Sequence, residues 1–313
     1  MVNLSPTALL YIFGGYALFA SATTLNKLIL FHLPPLFYVG IRMLASGIII
    51  LTYQAFKSPR MKMCHLKPDI KHLLVIGAFT TFLPSVLKAF ALKNLISSKA
   101  TLIASMDPFV TALYAYFLWG ERMSRSQILG IAISFAGIVI LLWTTSPAEA
   151  SFFSIGILSL PEIAAFVSMV IARYGWILAQ RVIHSERYTP TELNGLIMLI
   201  GGSYALITST LTENVDFNAI PTTWTFWAVC LYSITIANIL GYSIYGTLLK
   251  KYPITLTSLC GISIPLFVHL YGPLILGEPL SLTFFVSLAF VALGTYLFIQ
   301  NKSTQTKTPV VKE

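Results

Sequence analysis

The sequence predicts an all-α integral membrane protein of ten transmembrane helices, arranged as two inverted five-helix repeats, and three observations carry that expectation. Of the 313 residues, 56% are apolar or aromatic and only 10% are charged, against about 25% in a typical soluble domain. The mean hydropathy of +0.80 leaves too little polar surface to cover a water-soluble globule, so lipid must solvate most of the chain. The second half repeats features of the first at a constant offset. A cytosolic enzyme is excluded.

Uninterrupted apolar stretches of about 18 to 25 residues, each bounded by charge, Pro, Gly or Asn, set the elements in order. They run over 7–29, 34–56, 71–92, 97–119, 125–143, 160–182, 190–211, 222–249, 255–276 and 281–300. Capping chemistry marks three of the starts. Ser124 with Gln127, Ser159 with Pro161 and Glu162, and Thr189 with Pro190 and Glu192 each place a cap three residues before a side chain that reaches back. Residues 1–150 hold helices 1–5; residues 151–313 hold helices 6–10 and a short tail. Ala20-Ser21-Ala22 resembles a signal-peptidase site, but no Lys or Arg precedes it and the apolar run continues, so the stretch is read as a span.

The net charge of +9 is scattered rather than gathered in an aromatic-flanked stripe, so no nucleic-acid partner is expected. Orientation accounts for it better. With the N-terminus inside, 14 Lys and Arg fall in cytoplasmic loops and tail, and only Lys27 and Lys93 fall outside. Both termini are therefore expected on the cytoplasmic side of the cytoplasmic membrane. Cys64, Cys230 and Cys260 are odd in number and far apart, and imply neither a disulfide framework nor a zinc site. No cofactor is expected.

Sliding the chain by 157 residues superposes Pro108 through Gly120-Glu121 and Ser124 on Pro265 through Gly277-Glu278 and Ser281. In the same register Lys93 meets Lys250, Leu102 meets Leu259 and Gly137 meets Gly294. Five spans per half is an odd number, so the second half enters the membrane in the opposite sense. Ten spans as five plus five, each half with a Pro, eleven residues, Gly-Glu and a Gly-containing last helix, resemble the drug/metabolite transporter superfamily, specifically its EamA-like members. The resemblance covers nearly the whole chain. It implies a secondary transporter working by alternating access, with helices 5 and 10 peripheral and the other eight around a central cavity. Relatives move amino acids, drugs, nucleotide sugars or, in some intracellular bacteria, S-adenosylmethionine.

The motif residues also have physical roles of their own. Pro108 and Pro265 free the carbonyls of Ala104 and Gly261 and are expected to kink helices 4 and 9. Glu121 and Glu278 sit at tight helix connections, where a hairpin-structural role and a gating role both fit. Gly130, Ser134 and Gly137 on helix 5, with Ser287 and Gly294 on helix 10, offer small residues for close internal packing.

Ionisable groups within spans are costly unless they face protein or water, so each is a functional candidate. Lys88 and Lys99 lie near outer helix ends; Glu162 is the third residue of its capping box. Arg42 and Asp107 lie eight to ten residues inside their spans. They are expected either to pair with each other or to contact substrate, with Arg42 on an oxyanion and Asp107 on an amine or a coupling proton. Thr81, Ser85 and Lys88 form a polar stripe on helix 3, and the repeat register puts Asn238, Tyr242 and Tyr245 at the same places on helix 8. Matching stripes in inverted halves favour a cavity lining over simple helix-helix bonding. Arg173 and Gln180 mark a further non-lipid face on helix 6, and His269 is a secondary candidate. Four cations, Lys27, Arg42, Lys88 and Lys99, are expected around one vestibule whose only acid is Asp107, which favours an anionic or zwitterionic small-molecule substrate.

The leading function is secondary active transport of a small polar metabolite across the cytoplasmic membrane. Within the resembled family, exchange of S-adenosylmethionine for S-adenosylhomocysteine and amino-acid export are the alternatives. A channel or a non-transporting scaffold stands as the alternative of another class. No GxxxxGK[ST], HExxH or GxSxG occurs, so neither P-loop ATP hydrolysis nor those enzyme chemistries are expected.

Overall fold

The computed structural model describes residues 6–57, 66–120, 123–143, 151–155, 158–185, 187–217, 220–242, 261 and 263–300. Their regular structure is helical apart from one short hairpin, in which Ser154–Ile155 pairs antiparallel with Leu158–Ser159. The helices are α1 (Pro6–Leu30), α2 (Pro35–Lys57), α3 (Leu66–Gly77, continuing through Ala78–Phe82 and Leu83–Asn94) and α4 (Ser97–Ala104 and Asp107–Trp119). There follow α5 (Arg125–Leu142), α6 (Leu160–His184), α7 (Pro190–Thr212), α8 (Trp224–Tyr232 and Ser233–Tyr242), α9 (Ser263–Leu276) and α10 (Leu282–Gln300). Among the described residues, seven helices, α2 to α8, are long and apolar enough to cross a membrane.

Local chemistry sets the boundaries. α5, α6 and α7 each begin with a full capping box, Ser124 with Gln127, Ser159 with Glu162 and Thr189 with Glu192. The reciprocal bonds satisfy two of the otherwise orphaned amides at each start. α4 closes on Gly120 at φ +66°, and Gly277 follows α9 at φ +67°. A Cβ would meet nothing within 4 Å at either glycine, so the left-handed backbone and not crowding requires Gly there.

Three helices depart from regular geometry, which the apolar runs did not foretell. α3 widens to a π-helical stretch at Ala78–Phe82, and α8 does so at Ser233–Tyr242. α4 is interrupted instead of bent: it stops at Ala104, turns through Ser105 and Met106, and restarts at Asp107. Pro108 therefore lies in the first turn of a helix, where its missing N–H costs no ladder bond, and corrects the expected mid-helix kink. Pro265 likewise lies in the first turn of α9.

Small residues bring helices together. A Cβ on Gly130 of α5 would collide with the Gly294 carbonyl of α10, and one on Gly137 would lie 2.8 Å from the Ser287 carbonyl. Ser126 and Ser134 hydroxyls donate across the same seam to the carbonyls of Leu297 (2.6 Å) and Val291 (3.3 Å). α2 and α7 pack as closely, with Gly47 against the Leu199 backbone and Gly202 against that of Leu44. Elsewhere α3 packs on α6, α1 on α8 and α9, and the first segment of α4 on α9. Without a hydrophobic drive between helices in lipid, such backbone contacts and interhelical bonds hold the bundle.

Candidate functional site

A small, partly open cavity lies between α1, α2, α3 and α8. Phe19, Thr23, Asn26 and Leu30 reach it from α1 at helical spacings of four, three and four residues. Tyr38 and Arg42, one turn apart on α2, form a second wall. Ser85 and Lys88 enter just beyond the π-helical stretch of α3, and Ala237, Asn238 and Tyr242 enter from the π-helical part of α8. An extra residue per turn rotates the following face, and such stretches gather at functional positions in helices.

Two half-buried cations share this cavity. The Arg42 guanidinium lies 5.2 Å from the centre of the Tyr38 ring, and Lys88 Nζ lies 5.3 Å from that of Phe19. The ion pairs of the described residues all lie elsewhere, so neither cation has a carboxylate within 4.0 Å among them. Among the described residues, Arg42 Nε is buried with no hydrogen-bond partner, as is Asn238 Oδ1. The Asn238 amide is oriented by its nitrogen, which donates to Ser46 Oγ (2.9 Å) and to the Arg42 carbonyl (3.3 Å). An unsatisfied buried polar group costs about 1–3 kcal/mol, a cost that a bound ligand offsets.

The opposite wall is a satisfied network. The Tyr38 hydroxyl donates to Asn26 Oδ1 (2.5 Å) and lies 3.0 Å from Ser233 Oγ, which also bonds Asn26. This triangle fixes α1, α2 and α8 to one another.

The structure thus brings Arg42, Ser85, Lys88, Asn238 and Tyr242 into one place and sends other candidates elsewhere. Thr81 is fully buried against α7, donating to the Ile197 carbonyl at 2.6 Å. Asp107 pairs with Arg173 and not with Arg42: Arg173 Nε donates to Asp107 Oδ1 at 2.6 Å and its Nη2 meets Oδ2. The pair joins the α4 restart to α6, and Asp107 sits at a helix N-terminus, where negative charge is favoured. The Arg42 to Asp107 pairing is replaced for that reason. Gln180 is half-buried on α6 outside the cavity lining. Tyr245 and Glu121 lie outside the described residues. His269 is buried, its ring stacked 3.8 Å from that of Phe284.

Lys27 and Lys99 also leave the expected vestibule. Lys27 Nζ meets Glu278 Oε1 at 2.6 Å, and Lys99 Nζ meets Glu162 Oε1 at 2.5 Å. Glu278 further accepts from the backbone N–H (3.0 Å) and hydroxyl (2.9 Å) of Ser97, capping α4. The lining residues that sequence reasoning missed, Phe19, Thr23, Asn26 and Tyr38, carried a signal. Thr23 and Asn26 are polar within an apolar run and share a face with Phe19. No group of three metal-ligating side chains occurs among the described residues. The arrangement can hold an anionic group by charge and guanidinium hydrogen bonds, with aromatic rings close by.

Residues 6–143 and 159–300 each match the EamA-like transporter family. A protein of Chlamydia muridarum described as an S-adenosylmethionine/S-adenosylhomocysteine transporter is 25% identical over 301 residues, covering 96% of this chain and 94% of its own. A probable amino-acid metabolite efflux pump of Salmonella typhimurium is 25% identical over 280 residues, covering 87% of each. A solved crystal structure superposes with a TM-score of 0.65 at 17% identity, covering 94% of this chain and 96% of that one, a likeness of fold alone.

Proposed function

Because the chain belongs to the EamA-like transporter family, we propose that it is a secondary active transporter carrying a small polar metabolite across the cytoplasmic membrane by alternating access. The observation that carries the reading is the cavity in which Arg42 and Lys88 stand without a carboxylate among the described residues. A scaffold gains nothing from two half-buried charges of one sign; a carrier uses them when substrate supplies the opposite charge. The substrate is anionic or zwitterionic, and S-adenosyl compounds and amino-acid derivatives come first because relatives are described by them.

Several features support ten spans in two inverted repeats, with residues 1–150 and 151–313 as the halves. The π-helical stretch at 78–82 shifts by 157 residues to 235–239, inside the one at Ser233–Tyr242. The helix starts at Pro108 and Pro265 and the left-handed Gly120 and Gly277 are related by the same offset. α2 packs on α7 and α5 on α10, each against its own counterpart, as a twofold relation requires. Ion pairs at the helix ends serve as gates in this reading, Lys27 with Glu278 and Lys99 with Glu162 at one end and Arg187 with Asp69 at the other. The basic asymmetry supports an outside position for the first two and a cytoplasmic one for both termini.

Uptake and counterflow in proteoliposomes, screened over amino acids, S-adenosyl compounds and nucleotide derivatives, test the function. Saturation and counterflow are expected; flux without saturation makes the protein a channel, and no flux for any class makes it a scaffold. For topology, cysteines placed near Pro147 and Asn214 should react with an impermeant thiol reagent from outside, and one near Lys62 should not. Labelling at position 62 in sealed cells reverses the orientation.

A further inference from the structure

Arg42, Lys88 and Asn238 line one cavity and present two kinds of unmet demand. Arg42 and Lys88 bring positive charge with no carboxylate beside it among the described residues. Asn238 brings the reverse. Its side chain is fully buried, and Oδ1 accepts from no described residue. The contact to the Arg42 carbonyl fixes the amide orientation, since a carbonyl oxygen only accepts and so must face Nδ2. Turning the amide over would place oxygen against oxygen. Because the same Nδ2 bonds the backbone of Arg42, the amide is anchored to the residue that carries the guanidinium, and both side chains line the cavity.

We propose that the cavity selects an organic carboxylate bearing an N–H donor close to it, with the carboxylate held by Arg42 and Lys88 and the donor bonded to Asn238 Oδ1. This rests on the transporter reading and narrows it from an anionic or zwitterionic metabolite to a ligand with both poles, each assigned to named side chains. Among the described residues the carboxylates within the spans are already held: Asp107 by Arg173, Glu162 by Lys99 and Glu278 by Lys27. A carboxylate lacking the donor leaves Oδ1 unpaired on closure, and an amine lacking the carboxylate meets two like charges. Sites that demand a specific hydrogen bond reject analogues lacking it far more strongly than apolar pockets reject a missing methylene. Arg42 supplies direction through its planar fork, and Lys88 supplies a point charge that follows the carboxylate.

The test uses the full chain in detergent and thermal unfolding in matched triplets of probes: phenylalanine, 3-phenylpropionate and phenylalaninamide; methionine and its des-amino and amide forms; and S-adenosylhomocysteine as a larger zwitterion. At least one zwitterion is expected to raise the unfolding temperature, with its des-amino mate at least tenfold weaker in half-saturating concentration and its amide inert. Arg42→Met and Lys88→Met are each expected to abolish the shift. Asn238→Gln, which keeps the amide but displaces its oxygen, is expected to bring the zwitterion down to the level of its des-amino mate. Equal shifts within every triplet, no shift from any probe, or full zwitterion selectivity in Asn238→Gln overturns the proposal. Binding as expected without counterflow overturns the transporter reading and leaves this assignment standing. Counterflow of anions that lack an N–H donor does the opposite.

Discussion

Lys27 and Lys99 on one side, Arg42 and Lys88 on the other, occupy the same half of the helix bundle, yet the two regions treat positive charge in opposite ways. Lys27 and Lys99 are each closed by a carboxylate, at 2.6 and 2.5 Å, and the same carboxylates cap helix starts. Glu278 is satisfied several times over, and Glu162 meets both the Ser159 amide and Lys99. Arg42 and Lys88 have aromatic rings where the others have carboxylates. Burial alone therefore does not mark a binding site. A buried charge with a committed partner fixes helices, while one without a partner is available to a ligand.

The largest effect should come from stranding a committed charge. Lys99→Met leaves Glu162, 1% exposed, without its cation, and should cost about 3–5 kcal/mol. A steep fall in unfolding temperature in detergent reads this out. Arg42→Met strands no carboxylate and should change stability by about 0.5 kcal/mol or less. Equal destabilisation by the two variants would erase the distinction between the regions.

Gly130→Val tests packing without charge. The new side chain meets the Gly294 carbonyl and the Phe298 backbone, so α5 and α10 must separate, at about 1–3 kcal/mol. Unfolding temperature should fall while the apparent affinity of the surviving protein stays at the parent value. A changed affinity would tie this peripheral seam to the cavity.

Arg42→Lys keeps the charge and loses the fork. Apparent substrate affinity in proteoliposome uptake should weaken about tenfold, equivalent to ~1.4 kcal/mol, with normal expression. An unchanged affinity would assign Arg42 a purely electrostatic role. The smallest effect belongs to Pro108→Ala. In a first helical turn the proline contributes little beyond a fixed φ, so stability should shift by about 0.5–1 kcal/mol at most. Slowed turnover with intact folding would make the α4 break a moving part.

Much of the helical framework was legible in the sequence, for definite reasons. Apolar length and capping residues are local signals, and Ser124, Ser159 and Thr189 begin helices where their boxes predict. The small residues of α5 and α10 announced close packing because only Gly and Ser permit backbone approach. Pairing was not legible. Which of Arg42, Lys99 and Arg173 meets which carboxylate depends on contacts between helices far apart in the chain, and no periodicity encodes it. Thr81 shows a second limit: a stripe at i, i+4 and i+7 assumes regular helix, and the π-helical stretch at Ala78–Phe82 turns Thr81 toward α7 while Ser85 and Lys88 face the cavity. The interruption of α4 at Ser105 and Met106 escaped for the same reason, since hydropathy is blind to backbone path.

Counterflow by the double variant Arg42→Met with Lys88→Met, reconstituted beside the parent, asks whether these two cations hold the substrate. Saturable counterflow is expected in the parent and none in the variant, with both proteins unfolding at similar temperatures. Parent-level counterflow in the double variant would leave Arg42 and Lys88 no part in holding the substrate and would overturn the assignment.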